Sequence, residues 1–333
     1  MRRGHSRITD LGFVVVAGLA IATAGCSSNL VMGPINDGSL GARDGGSADL
    51  VGVNQAPPYL VTTDSTVVGN GTLKSFVPTL PAGQTAPLVL FKHGYQLKTS
   101  NYSALCQAIA EQGLVVIGVD TDSGGLFGGG LTNAQERDAT IAALSWAKTT
   151  ASFAALIDPA HIAVMGHSRG GKVALMVAAS DVRITAALLL DPVNGCGPGQ
   201  PYSSDCPDVT AASIAGALTI PVGVMGETNN ASGGLMPCAP AAQNYATVYA
   251  ALAKASWKVQ WTLTGADHMD FTDDGGGAVG ALCTKGPGVD AQVRGEVRAL
   301  ATAFARRHLR NDTSVDPSLT GALVPSDITV LGP

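Results

Sequence analysis

The sequence predicts an α/β protein, a mainly parallel central sheet flanked by helices with no large lid. Three observations carry this reading. From about Pro57 onward, short β-branched runs alternate with amphipathic helical stretches. One junction, Ile-Ala-Val-Met-Gly-His-Ser-Arg-Gly-Gly-Lys at 162–172, joins a strand to a helix through a glycine-flanked serine. Of the 333 residues 46% are hydrophobic and 14% charged, enough apolar chain to bury a sizeable core.

Taken in order, residues 1–25 start with Arg2, Arg3 and Arg7 and continue in an uncharged apolar run from Leu11 to Ala24. That run is short for a bilayer span and reads as a secretory signal peptide. Its ending, Thr-Ala-Gly-Cys, resembles the bacterial lipobox, in which Cys26 becomes the lipidated first residue. The plainer alternative is an ordinary signal peptide cut nearby. Either reading exports the protein, with membrane contact only through a lipid anchor at Cys26. Residues 26–56, rich in Gly, Ser, Asn and Asp, are expected to be a flexible tether.

The folded domain is expected at 57–310. Two alternating strands around Gly69-Asn70-Gly71 suggest an antiparallel edge hairpin. Strands are expected at 87–92, 114–119, 162–166, 184–190, 220–225 and 258–263. Helices are expected at 100–112, 132–150, 170–179, 240–255 and 289–309. Thr132 suits the N-cap of its helix, with Glu136 one residue beyond capping-box spacing. The last helix carries Val293, Val297, Leu300 and Phe304 on one face and ends in Arg306-Arg307-His308, cations that suit a helix C-terminus. There His308 is expected to face solvent. Residues 311–333 read as an irregular tail. No repeat or second domain is visible.

Net charge is −5 and the basic residues are scattered, which excludes a nucleic-acid footprint. No metal, nicotinamide or flavin motif appears, so no cofactor is expected. Beyond Cys26, five cysteines remain. Cys196 with Cys206, ten apart in a Gly/Pro-rich loop, and Cys238 with Cys283 are the expected disulfides in an oxidising compartment. Cys106 falls on an amphipathic helix as a buried small hydrophobe. A monomer is expected.

The chemistry centres on Ser168. A strand, a G-x-S-x-G pentapeptide and a helix form a nucleophile elbow of the α/β-hydrolase type, a sharp turn that exposes the serine hydroxyl at the sheet edge. Among 42 glycines the pentapeptide alone could arise by chance, so its weight comes from context and partners. A serine nucleophile needs a base, and the base needs an acid to orient it. His5 lies in the signal peptide, and His161 at the far end of the elbow strand. His167 should point away from the serine's face, and His93 belongs to a loop that serves the oxyanion. That leaves His268, in Gly-Ala-Asp-His-Met-Asp-Phe directly after the final strand. Two acids fit equally by position: Asp191, closing one strand, and Glu227, closing the next. Asp267 is adjacent to His268 in sequence and should point away from it. The backbone amides of Tyr95 and Arg169 are the expected oxyanion donors. Asp270, Asp273 and Asp274 read as a solvated or helix-capping cluster.

Several segments together resemble the chlorophyllase-like branch of the α/β-hydrolases, which is related to bacterial polyester hydrolases and lipases. They are Leu-Phe-Lys-His-Gly-Tyr (90–95), Gly-His-Ser-Arg-Gly-Gly-Lys (166–172), Asp-Pro-Val-Asn-Gly (191–195), Pro-Cys-Ala-Pro (237–240) and His-Met-Asp-Phe-Thr-Asp-Asp (268–274). The resemblance implies a serine ester hydrolase with Ser168 as nucleophile, His268 as base and Asp191 as acid. Where the family pattern often has a second aspartate, this chain has Asn194, which favours Asp191 over that position. Small-molecule or extended esters are the expected substrates, in an open cleft beside the Gly/Pro-rich loop 194–219. Acyl transfer, thioester or amide cleavage at the same site, and a non-catalytic surface-binding lipoprotein, are the competing readings.

Overall fold

Runs of Val, Ile and Leu too continuous for one wet face demand a sheet covered on both sides, and that is where they sit. The computed structural model describes residues 59–124, 129–197, 200–232 and 237–333. The signal peptide expected at 1–25, the tether at 26–56 with Cys26, and residues 57–58 lie outside the described residues.

Among the described residues one sheet contains β1 (Val61–Val68), β2 (Gly71–Pro78), β3 (Ala86–Lys92), β4 (Val115–Thr121), β5 (Ile157–His167), β6 (Ala186–Leu190), β7 (Val222–Glu227), β8 (Lys258–Leu263) and β9 (Ile328–Leu331). Their spatial order is β1-β2-β4-β3-β5-β6-β7-β8-β9. Strands β3 to β8 run parallel, while the β1–β2 hairpin and β9 flank them antiparallel. The helices are α1 (Ser103–Ala110), α2 (Asn133–Thr149), α3 (Arg169–Ser180), α4 (Tyr245–Ala251), α5 (Gly277–Gly280), α6 (Asp290–Leu309) and α7 (Asp316–Thr320). Successive strand residues alternate between two cores. Phe91, Met165, Leu188 and Trp261 join α1 and α6 on one face. Leu90, Val164 and Leu189 join α2, α3 and α4 on the other. The resulting α/β-hydrolase fold brings the carboxyl ends of the parallel strands to one edge, where loops can carry chemistry.

Four expectations change or sharpen. The irregular tail at 311–333 is ordered: it holds α7, and β9 pairs with β8 from Gln260–Leu331 to Leu263–Ile328. Without β9 the last strand would present an unpaired edge, and the Trp261 indole N–H would lose the Leu319 carbonyl it reaches at 2.7 Å. His308 is not in solvent. Its ring packs 4.5 Å from Trp257 and 4.6 Å from Phe304, and burial holds its pKa down to about 4. The α2 capping box closes through Gln135, whose amide N–H donates to Thr132 Oγ1 and whose side chain accepts from Thr132 N–H. Glu136, one residue on, is instead fully buried. The 240–255 helix is also shorter than expected, limited to α4.

Candidate active site

The elbow is built by what glycine lacks. A Cβ on Gly166 would overlap the Gly170 carbonyl, and one on Gly170 would overlap the Lys92 carbonyl at the end of β3. Strand, turn and helix can therefore close tightly enough to force Ser168 to φ 56° and ψ −125°, backbone that a side-chain-bearing residue rarely adopts. Its hydroxyl sits at the start of α3, between the ends of β5 and β6.

Ser168 Oγ lies 2.9 Å from His268 Nε2, and His268 Nδ1 lies 2.5 Å from Asp191 Oδ2. These residues are 100 and 77 positions from His268 in sequence, so only the fold brings them together. Asp191 itself has φ 39°, a left-handed conformation that aspartate tolerates better than most residues. It is fully buried, and desolvation pushes its carboxyl pKa up while the His268 imidazole pulls it down. His268 is held by Asp267, which accepts from the Met269 amide at 2.8 Å and the Gly286 amide at 3.0 Å. Asp267 therefore braces the His268 loop and does not orient the imidazole. Asp270 accepts the Asp267 amide at 2.9 Å, and Asp273 accepts the Ala104 amide of α1 at 2.7 Å. Two members of the acidic cluster are thus main-chain caps, and among the described residues no cluster of metal-ligating side chains is present.

Glu227 ends β7 one strand further along. Its carboxylate accepts the amides of Asn229 and Asn230. The turn it gathers supports the His268 loop from behind: Asn229 Nδ2 donates to the Ala266 carbonyl at 2.6 Å, and Asn230 Nδ2 to the Thr284 carbonyl at 3.0 Å. Burial and the neighbouring Asp191 charge raise the Glu227 pKa to about 7. Of the two acids left open by strand position, the one hydrogen-bonded to His268 is Asp191.

His167 turns away from Ser168, as its place in the elbow suggests, and does more than fill space there. Gly94 N–H donates to Tyr102 Oη at 3.1 Å, Tyr102 O–H to His167 Nδ1 at 2.7 Å, and His167 Nε2–H to the His268 carbonyl at 2.9 Å. This relay fixes one tautomer and links the 93–96 loop to the His268 loop. Burial and the nearby His268 keep the His167 pKa well below its usual value, consistent with a neutral ring. Tyr102 and His167 were not visible as a pair from sequence, because nothing local marks contacts between residues 65 positions apart.

Arg169 is the first residue of α3, so its amide has no acceptor within the helix. Its guanidinium bonds Glu136 Oε2 at 2.7 Å and the Leu131 carbonyl at 2.6 Å, and lies 5.8 Å from the centre of the Tyr95 ring. Tyr95, Arg169 and Ser168 line one cleft of about 1040 Å³. Both expected disulfides, Cys196–Cys206 and Cys238–Cys283, form and border that cleft, while Cys106 is free and buried. Lys172 Nζ reaches the Asn194 carbonyl at 2.7 Å, and Asn194 in turn bonds Asp208 and the Val209 amide. Asn194 therefore secures the disulfide-bearing loop, which is the use this chain makes of that position.

The chlorophyllase family model matches residues 61–320. The chain is 27% identical to chlorophyllase-1 of Arabidopsis thaliana over 265 residues, 72% of this chain and 78% of that protein. It is 28% identical to chlorophyllase-2 of the same plant over 246 residues, 68% of this chain and 74% of that protein. A bis(hydroxyethyl) terephthalate hydrolase of Streptomyces coelicolor is 27% identical over 267 residues, 75% of this chain and 76% of that protein. These relatives are hydrolases of ester bonds. By the extent of the match and the fold that carries it, the chain belongs to the chlorophyllase family of α/β-hydrolases.

Proposed function

We propose that this protein is a serine carboxylic-ester hydrolase working through an acyl-enzyme. The observation that carries the reading is the hydrogen-bonded series Ser168 Oγ, His268 Nε2, His268 Nδ1, Asp191 Oδ2. His268 takes the Ser168 proton as Oγ attacks the ester carbonyl carbon. The resulting oxyanion is stabilised by the amides of Tyr95 and Arg169. The imidazolium, held in place by ionised Asp191, gives its proton to the departing alcohol. Water then attacks the acyl-enzyme, losing a proton to His268 and releasing the carboxylic acid and free Ser168.

The cleft beside Ser168 is lined by Tyr95, Leu131, Val193, Met269 and Leu282 together with polar residues such as Asn133 and Gln243, which suits small or extended esters with an apolar body. The relatives are named as chlorophyllases and as a bis(hydroxyethyl) terephthalate hydrolase, so the alcohol and acid preferences of this chain are best approached with simple esters. Export, by a signal peptide with lipidation at Cys26 or by ordinary cleavage nearby, is part of the same reading. Two disulfides suit an oxidising compartment. We take the protein to act as a monomer.

The test is turnover of a short-chain nitrophenyl ester by the wild type and Ser168→Ala. Serine-dependent turnover is expected, and a Ser168→Ala rate equal to wild type would sink the reading in favour of a binding protein. Residual catalysis over water in the variant is compatible, because the oxyanion site survives the substitution.

A further inference from the structure

Beneath the site lies a group of charges that the mechanism above does not use. Glu136 in α2 and Lys92 at the end of β3 are both fully buried, with Lys92 Nζ 3.3 Å from Glu136 Oε1. The same Oε1 accepts from Thr121 Oγ1, at the end of β4, at 2.8 Å. Oε2 accepts from Arg169 Nε at 2.7 Å. One carboxylate thus ties together the ends of two neighbouring strands and the first residue of the elbow helix. Ionic groups are costly to bury, and replacing such a set with apolar residues of similar volume often stabilises a protein. Stability is therefore a poor reason for its presence, and its position offers a better one.

We propose that Glu136 is a positioning residue for the oxyanion site: its carboxylate fixes the Tyr95 and Arg169 amides relative to Ser168. This rests on the ester-hydrolase reading. On one side, Glu136 holds the Arg169 side chain, and through it the first peptide of α3. On the other side, Lys92 is three residues before Tyr95. Lys92 Nζ donates to His93 Nε2 at 2.7 Å, as does the Thr121 amide at 3.1 Å, and His93 Nδ1–H donates to the Gly94 carbonyl at 2.7 Å. The loop that delivers the Tyr95 amide is therefore fastened to the same carboxylate through Lys92, His93 and Thr121. The Arg169 guanidinium and Tyr95 ring also face each other across this junction. Burial lowers the Lys92 pKa to about 8 against the pull of Glu136.

The geometry predicts a loss in the chemical step with little loss in ground-state binding, because the oxyanion donors act on charge that develops only in the transition state. Removing a whole oxyanion donor costs about 10²- to 10³-fold in kcat, so loosening one should cost about 10- to 100-fold. The experiment measures kcat and KM on a soluble nitrophenyl ester for wild type, Glu136→Gln, Arg169→Lys and Thr121→Val. It also measures binding of an alkylboronic acid, which mimics the tetrahedral species on Ser168. Expected are a kcat drop of about 10- to 100-fold in Glu136→Gln, a smaller drop in Thr121→Val, KM within about twofold, and weaker boronate binding in step with kcat. If Glu136→Gln does not fold, Arg169→Lys and Thr121→Val carry the test by the same split. Losses confined to KM, or folded variants with unchanged kcat and boronate affinity, overturn the positioning role. Absence of Ser168-dependent turnover in the wild type instead removes the ester reading, and this proposal falls with it.

Discussion

Two adjacent strands end in a buried acid at the same sheet edge, and the two acids do different work. Asp191 closes β6 and Glu227 closes β7, with 0% and 1% of their surfaces exposed. Asp191 faces the His268 imidazole. Glu227 faces inward to the amides of its own turn, which bonds the back of the His268 loop. Side-chain length does not explain this, since the longer glutamate has the greater reach. The difference comes from donors: the chain after β7 folds back as Thr228-Asn229-Asn230 and offers two N–H groups to the carboxylate. After β6 the corresponding amides are already engaged, Val193 N–H with the Ser168 carbonyl at 3.2 Å and Asn194 N–H with the Gln243 carbonyl at 2.8 Å, so neither draws Asp191 away from His268. A strand-end acid thus takes the nearest unpaired donors, and the residues immediately after it decide which donors those are.

The strongest way to break this comparison is at Asp191. Asp191→Asn keeps the shape but presents an amide to His268 Nδ1, favouring the tautomer that cannot accept the Ser168 proton. Turnover of a soluble ester is expected to fall by up to about 10⁴-fold, the size of the corresponding serine-protease effect, with the fold retained by circular dichroism. A fall of less than about tenfold would mean that another group orients the base.

Glu227→Gln should cost far less. It leaves the Asp191–His268 pair in place and weakens one or two hydrogen bonds behind it. A net hydrogen bond is worth about 1 kcal/mol, so the same assay should show a loss under about tenfold. The reverse ranking of the two variants would exchange the roles assigned to the two strand ends.

The same contrast shows what the sequence could disclose. The elbow was legible because glycine, serine and flanking strand and helix are contiguous, and the sterics of Gly166 and Gly170 act over a few residues. His268 was legible because it follows the last long strand. The choice between Asp191 and Glu227 was not decided by position alone, since both strands open on one edge; family resemblance favoured Asp191, and the donors at 229 and 230 show what occupies Glu227. The Glu136 cluster was illegible because residues 92, 121, 136 and 169 meet only in the folded chain, and a glutamate near a helix start reads as ordinary dipole compensation. The β9 strand was missed because Ile328–Leu331 is four residues long and follows a stretch of Gly, Pro, Ser and Asp. Its register is supplied by the edge of β8, not by its own pattern.

The smallest expected effect concerns stability and its sign. Folding raises the Glu227 pKa from 4.5 to about 7, mainly by burial and then by the Asp191 charge. Between those values the folded protein holds a proton that the unfolded chain has released, so stability falls as pH rises through this window. The contribution is fully present below the unfolded value and lost once pH exceeds the folded one. Glu227→Gln carries a permanently neutral side chain and cannot show this loss. The melting temperature of Glu227→Gln relative to wild type should therefore shift in favour of the variant between about pH 5 and about pH 8, by about 2 °C or more. Groups common to both proteins largely cancel in the difference. A difference that stays flat across the window, or moves the other way, would mean that Glu227 is ionised throughout. Its turn amides would then outweigh its burial and the repulsion from Asp191, and the two strand-end acids would be more alike in charge than their surroundings imply.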